Sequence, residues 1–325
     1  MKHSIKVTFA AIAAALSANC AFANKYNVVS LGFLIDPVSI SNVNAVAANT
    51  VARNARGQIY RNDGWRNLPT HSHVTAINRS GNATGNDYHH DEPFLWPHND
   101  DPVILRLPHG AQTGSAYALN NGNVVVGKFF SDVGTGCFTW TAAEGANDFS
   151  SKEWQYCTAY GVNEAGQVVG TASVTRSSGD RAFIWQGGTF TDLGVLPGKS
   201  ISQALAINEQ GHAVGASTNS DGARAFLWNG ALVDLDPSER FDSTTASAIN
   251  DSGEIVGWAM DSGAESTVAV RFAHSTVIRL DSEIIDGEGW KFQTATSINN
   301  KGVIVGSGQH HGQSCGYMLI PQKEE

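Results

Sequence analysis

Positive charge is scarce in this chain. Lysine plus arginine number 21 against 30 aspartate plus glutamate in 325 residues, a net charge of −9. That balance excludes the basic footprint of a nucleic-acid binder. Charged residues of both signs make up only 16%, and prolines number 9 against 34 glycines. The hydrophobic fraction of 42% is ordinary for a globular protein and too high for general disorder. Beyond residue 23 no stretch stays apolar for the roughly 18 residues of a membrane-spanning helix, so none is expected. There is no CxxC pair and no Cys/His spacing suited to zinc. A Gly-x-Ser-x-Gly elbow, a phosphate-cradling glycine loop, a His-Glu-x-x-His helix and a calcium loop of spaced aspartates are missing as well.

The first 23 residues read as a targeting segment. Lys2 and Lys6 form a positive start, Val7 to Leu16 an apolar run too short to cross a bilayer, and Ala21-Phe22-Ala23 a small-x-small cleavage site. Cleavage after Ala23 and export to the periplasm or beyond the cell are expected. Asn19, standing before Cys20, argues against lipidation. The mature chain would carry 19 positive and 30 negative residues, a net of −11, since Lys2 and Lys6 leave from the 21. Export implies an oxidising environment, and three cysteines remain. Cys137 and Cys157 are the expected pair, worth roughly 3 kcal/mol by chain entropy, with three reduced buried cysteines as the alternative.

A repeat dominates the rest. Ala206-Ile207-Asn208-Glu209-Gln210-Gly211 runs on to Val214-Gly215, then Ala225-Phe226-Leu227-Trp228, then Val233-Asp234-Leu235. The same frame recurs around Asn78, Asn120, Asn163, Asn250 and Asn299, and a degenerate copy starts near Asn44. Each unit predicts four short strands, A to D. Strand A ends at Ile-Asn, the Asn-x-x-Gly turn reverses the chain, strand B is Val-Val-Gly, strand C is Ala-Phe-Leu-Trp and strand D is Thr-Asp-Leu-Gly. Four-stranded units of roughly 40 to 50 residues predict a β-propeller. The last unit lacks a strand D, while Tyr26 to Gly32 looks like a strand D without a blade. Pairing the two predicts one all-β domain over 24–325, a seven-bladed ring closed by its N-terminal strand. The repeated asparagines and glycines are assigned to turns, Phe-x-Trp to packing between blades, and strand-D aspartates such as Asp192 and Asp234 to tying down a turn.

On these residues the chain resembles the bacterial exported proteins with HAF repeats. The resemblance covers nearly all of the mature chain, although Arg181-Ala182-Phe183 and Arg224-Ala225-Phe226 replace the family's His-Ala-Phe. It implies a β-propeller-like fold and an extracellular address, and no common activity.

Function is expected where the repeats differ, in the loops. The B–C and D–A loops emerge on one face. His71 and His73 are placed in one D–A loop, His89 and His90 in a long B–C loop spanning Asn86 to Glu92, and His310 and His311 in the last B–C loop. These six come from three adjacent units, and a very short B–C loop near Asn54 to Arg56 is expected to leave a notch bordered by Arg53 and Arg56. The leading expectation is a binding module for an extracellular or envelope polysaccharide or protein, acting as a monomer, with loop aromatics such as Tyr88, Phe129 and Phe130 stacking on sugars. Arg53, Arg56, His71, His73, His90 and His311 are its candidate ligand-binding residues. The rival is a polysaccharide lyase or hydrolase using Tyr88, His89 and His310 as acid and base. A divalent metal held by the imidazoles with Asp87, Asp91 or Glu92 is the third reading.

Overall fold

The computed structural model describes residues 26–51, 55–61, 64–98, 100–151, 154, 156–173, 179–238, 240–261, 266–273 and 275–322. The targeting segment, Arg53 and His274 lie outside them. Twenty-eight strands form seven four-stranded antiparallel sheets. The first blade holds β2 (Ile35–Ile40), β3 (Val46–Thr50), β4 (Gly57–Arg61) and β5 (Gly64–Asn67). The second holds β6 (Ser72–Ile77), β7 (Ala83–Asp87), β8 (Glu92–Trp96) and β9 (Val103–Ile104). In the third are β10 (Ala111–Leu119), β11 (Val125–Ser131), β12 (Gly134–Thr141) and β13 (Gly145–Asp148), and in the fourth β14 (Tyr156–Val162), β15 (Val168–Ser173), β16 (Arg181–Gln186) and β17 (Thr189–Gly194). Blade five comprises β18 (Ile201–Ile207), β19 (Ala213–Asn219), β20 (Gly222–Trp228) and β21 (Leu232–Asp234). Blade six comprises β22 (Ser243–Ile249), β23 (Ile255–Asp261), β24 (Ser266–Ala273) and β25 (Thr276–Arg279). The seventh combines β26 (Trp290–Ile298), β27 (Ile304–His310) and β28 (Gln313–Pro321) with β1 (Tyr26–Phe33). β1 pairs antiparallel with β28 from Tyr26↔Pro321 to Phe33↔Cys315 and closes the ring.

The first strand of each blade lies beside the first strands of both neighbours, so these seven surround the axis. Cohesion between blades comes from seven apolar clusters, each drawn mainly from two adjacent sheets. Phe226 of β20, for example, packs with Val169, Ile184 and Leu196, and Phe183 of β16 packs with Cys137 and Phe149. Cys137 of β12 and Cys157 of β14 form a disulfide across blades three and four, with Cα atoms 5.3 Å apart. Cys315 is a buried free thiol.

The repeated asparagine does more than build a turn. Asn163 Oδ1 accepts the Gln167 N–H at 2.9 Å within its own turn, while its Nδ2 donates to the Asn208 carbonyl of the next blade at 3.0 Å. Asn78, Asn120, Asn208, Asn250 and Asn299 hand on in the same way, the last to the Ser41 carbonyl. The links therefore run from blade two round to blade one, and Ser41 stands in the degenerate blade where the others have asparagine. The degenerate unit thus aligns on Ser41, three residues before the Asn44 expected from the sequence. Asn44 instead fills the left-handed slot (φ 63°) that glycine takes in most units and Asn123 takes in blade three. Asn163→Ala would leave the Gln167 N–H without its acceptor and take one of two donors from the buried Asn208 carbonyl, which keeps the Gly211 N–H, and urea denaturation is expected to show a loss of about 1–2 kcal/mol.

The strand-D aspartates behave as expected. Asp192 accepts the Gly194 N–H and Asp234 the Asp236 N–H, both at 2.8 Å.

Candidate functional site

Strand A of each blade runs from the face carrying the B–C and D–A loops toward the asparagine turns at the other end. Counting back from the repeat asparagine aligns the seven inner strands in layers. One residue back is aliphatic in every blade, from Ile40 and Ile77 round to Ile298, and this ring lies against the polar mouth on the asparagine side. Three residues back stand Tyr117 and Tyr160 in adjacent blades. Five residues back, nearest the loop face, stand Asp36 and His73 in adjacent blades, with only serine, threonine or glutamine in the others (Ser115, Thr158, Gln203, Thr245 and Thr294).

Two ring pairs stand toward the loop-side end of these strands, and the influence of Tyr117 on Tyr88 links them into one cluster. The His73 and Tyr88 rings lie 5.3 Å apart, and the Tyr117 and Tyr160 rings 5.4 Å apart across blades three and four. Lys128 of β11 places its Nζ 5.6 Å from the Tyr117 ring and 5.1 Å from that of Phe130. Burial pushes the Tyr88 hydroxyl above its usual value, and Tyr117 adds to the effect. Burial likewise raises the Asp36 carboxyl, opposed by a hydrogen bond with Ser307 and by the nearness of His73. His73 is pushed below the ordinary imidazole value, again chiefly by burial, with Asp36 pulling the other way. A neutral imidazole results at neutral pH. Its buried Nδ1 has no hydrogen-bond partner among the described residues.

The sequence-predicted residues divide around this cluster. His73 is the second residue of β6, an inner strand, and not part of a loop, which is why it reaches the axis. Tyr88 tops the β7–β8 turn, 62% exposed, its N–H donating to the His71 carbonyl at 3.0 Å. That turn is four residues, 88–91, because Asn86, Asp87 and Glu92 belong to the strands, so the long loop expected there is a tight one. His71, His89 and His90 form a rim beside it. The His71 and His89 rings lie 5.5 Å apart and those of His89 and His90 4.7 Å apart. Asp87 Oδ2 accepts from His90 Nδ1 at 2.9 Å, a bond that raises the His90 imidazole and lowers the Asp87 carboxyl.

His310 and His311 belong to a separate group. His310 ends β27 and stacks on Trp290 at 4.6 Å, and His311 lies 4.4 Å from it at the two-residue turn 311–312. Among the described residues no hydrogen bond, ion pair or ring contact joins this pair to the blade-two histidines. Nor are any three His, Cys, Asp or Glu side chains among them grouped to hold a metal ion. Of the β3–β4 connection where the notch was expected, residues 52–54 lie outside the described residues; β3 ends at Thr50 and β4 begins at Gly57. Arg56 closes it through its backbone, exchanging hydrogen bonds with Thr50.

No family model matches the sequence, and no curated protein matches it. Solved structures do. The chain is similar to a catalytically inactive histidine-to-alanine variant of virginiamycin B lyase from Staphylococcus aureus with quinupristin, at 10% identity and a TM-score of 0.59 over 91% of this chain and 100% of that one. YCF48 bound to D1 peptide matches at 13% identity and 0.56 over 93% and 96%. A Mycobacterium tuberculosis puromycin-hydrolyzing peptidase matches at 10% and 0.59 over 92% of this chain and 55% of its own. The likeness is one of fold. A lyase, a peptide-bound protein and a peptidase share the architecture, so the chemistry must be read from the side chains.

Asp36, Tyr117, Lys128 and Tyr160 were not singled out from the sequence. The signal that finds Asp36, Tyr117 and Tyr160 is the distance back from the repeat asparagine. It places tyrosine three before Asn120 and Asn163, and the ionisable pair five before Asn78 and its equivalent Ser41.

Proposed function

We propose that the protein is an exported binding module whose ligand seats at the loop-side mouth of the axis, and that the ligand is an acidic carbohydrate of the cell envelope or surroundings. The observation that carries this reading is the grouping of exposed Tyr88, close enough to Tyr117 to feel its charge, with the Tyr117–Tyr160 pair and Lys128. Tyrosine rings offer flat apolar faces for the C–H side of a sugar, and the ammonium of Lys128 complements a carboxylate on it. The Cys137–Cys157 disulfide supports an oxidising compartment and hence export. The kinship to HAF-repeat proteins remains part of this proposal.

Titration calorimetry of the mature protein with uronic-acid oligosaccharides tests it. Binding is expected, with Tyr88→Ala and Lys128→Ala each weakening it by about ten-fold or more. Failure of every acidic glycan to bind, or binding that ignores both substitutions, would sink the reading.

A second reading rests on His73. A neutral imidazole whose ring lies 5.3 Å from that of Tyr88 offers a base and an acid in one place. On an acidic polysaccharide the imidazole would take the proton α to the carboxylate and the tyrosine would protonate the departing glycosidic oxygen, leaving an unsaturated sugar. A lyase of similar fold has a histidine whose replacement inactivates it. Ultraviolet absorbance of an unsaturated product, lost in His73→Ala, separates this reading from simple binding.

A further inference from the structure

A second concavity opens on the loop face, away from the mouth just described. Its volume is about 700 Å³, within the range of small-molecule sites. Three pieces of chain build it: the turn at His109 and Gly110, the β11–β12 hairpin, and the segment leaving β13 from Asp148 to Ser151. The hairpin serves both sites through strand alternation. Lys128 and Phe130 belong to the axial cluster, while Phe129 and Ser131 line this cavity.

The wall depends on glycine. A Cβ on Gly136 would lie 2.3 Å from the Phe129 ring and 2.7 Å from Ser150 Oγ, so only glycine lets ring, backbone and hydroxyl stack there. Behind it, Ser150 Oγ accepts the Cys137 N–H at 2.9 Å, and Cys137 is bridged to Cys157 in the next blade. The disulfide thus holds the back of the cavity.

Charge gives its ligand chemistry. Two carboxylates line it, and no lysine or arginine does among the described residues. Asp132 Oδ1 accepts from Gln112 Nε2 at 2.5 Å, and Asp148 Oδ1 accepts the Ser150 N–H at 2.8 Å. The Oδ2 atom of each is left without a partner among the described residues. Val133, 86% exposed at the hairpin tip, supplies an apolar lip, and Phe129 an apolar wall. His109 lines the cavity as well, but no three acidic or imidazole side chains among the described residues are grouped to hold a metal, and the complement is an organic cation.

We infer that this cavity binds a small protonated amine carried on a ring, its ammonium between Asp132 and Asp148 and its ring against Phe129 and Val133. The site does not depend on the axial mouth. Titration calorimetry with two matched pairs of probes tests it: benzylamine against benzyl alcohol, and glucosamine against glucose. The amine of each pair is expected to bind more tightly than its neutral counterpart by at least about ten-fold, the effect of one charge-assisted hydrogen bond. Asp132→Asn and Asp148→Asn are each expected to remove that preference, while Tyr88→Ala leaves it unchanged. Asp132 sits at an exposed hairpin tip, so its substitution reads the site even where Asp148→Asn fails to fold. Equal binding within each pair, amine binding that survives Asp132→Asn, or calcium chloride alone binding more tightly than either amine would overturn the proposal.

Discussion

Glu283→Ala is expected to lower the unfolding free energy by about 3–5 kcal/mol, read by urea denaturation followed through tryptophan fluorescence. Glu283 ends a single 3-10 turn, Leu280–Glu283, that follows β25, and its carboxylate takes two hydrogen bonds from Arg271 of β24, at 3.2 and 2.5 Å. The two side chains are 3% and 11% exposed. Burial works against the Arg271 charge, but the hydrogen bonds and charge of Glu283 outweigh it, and the guanidinium is held above its ordinary value. Removing the carboxylate leaves a largely buried cation without its hydrogen-bonded partner. The site also matters for closure. The residues just past Glu283 pair with the start of β1, through a parallel bridge between Tyr26 and Ile284 and an N–H from Ile285 to the Tyr26 carbonyl at 3.1 Å. Loss of the ion pair should therefore loosen the strand that closes the ring. The double variant Arg271→Met/Glu283→Leu removes both charges while keeping bulk, and is expected to recover most of the loss. A single variant within about 1 kcal/mol of the wild type would show that water reaches the pair.

The ring was legible because its units repeat and its ends complement each other. An Asn-x-x-Gly turn states where each strand A stops, and a C-terminal unit short of one strand asks for the strand that Tyr26–Phe33 supplies. The degenerate blade was harder to place. Ser41-Asn42-Val43-Asn44 has no glycine, and Asn44 drew the eye because it is the residue able to hold positive φ, although it occupies the glycine slot. That three-residue slip hid the site. Aligned on Asn44, Asp36 matches nothing; aligned on Ser41, it stands level with His73.

The histidines misled for a related physical reason. Sorting by loop groups imidazoles that meet neighbours in their own blade first. His310 meets Trp290, and His90 meets Asp87. The residues that converge across blades sit on inner strands, where proximity is set by the ring and not by the loop. His73 belongs to that second class, and its strand position rather than its residue type sets its neutral, half-buried state.

The glycines of the repeat also have two unlike duties, and substitution should separate them. The glycine of Val-Gly belongs to strand B as the repeat predicts, and Gly215 lies within β19 opposite Ala204, next to a bulge in β18. A Cβ there would fall 1.9 Å from the Gln203 carbonyl oxygen and 3.0 Å from the Ala204 Cα, both backbone atoms. The same approach recurs at Gly85, Gly127, Gly170, Gly257 and Gly306, each about 2 Å from the carbonyl of the facing inner strand. Because the obstacle is main chain, no rotamer relieves it, and the two strands must part. Gly215→Ala is expected to cost about 3 kcal/mol or more, at or beyond the upper end of overpacking. Gly230→Ala is the comparison. Gly230 has φ +100° but nothing within 4 Å of an added Cβ, so only backbone strain of about 1–2 kcal/mol is expected. Thermal melts of the two variants should rank them in that order. Equal losses would mean that strand B yields to a methyl group.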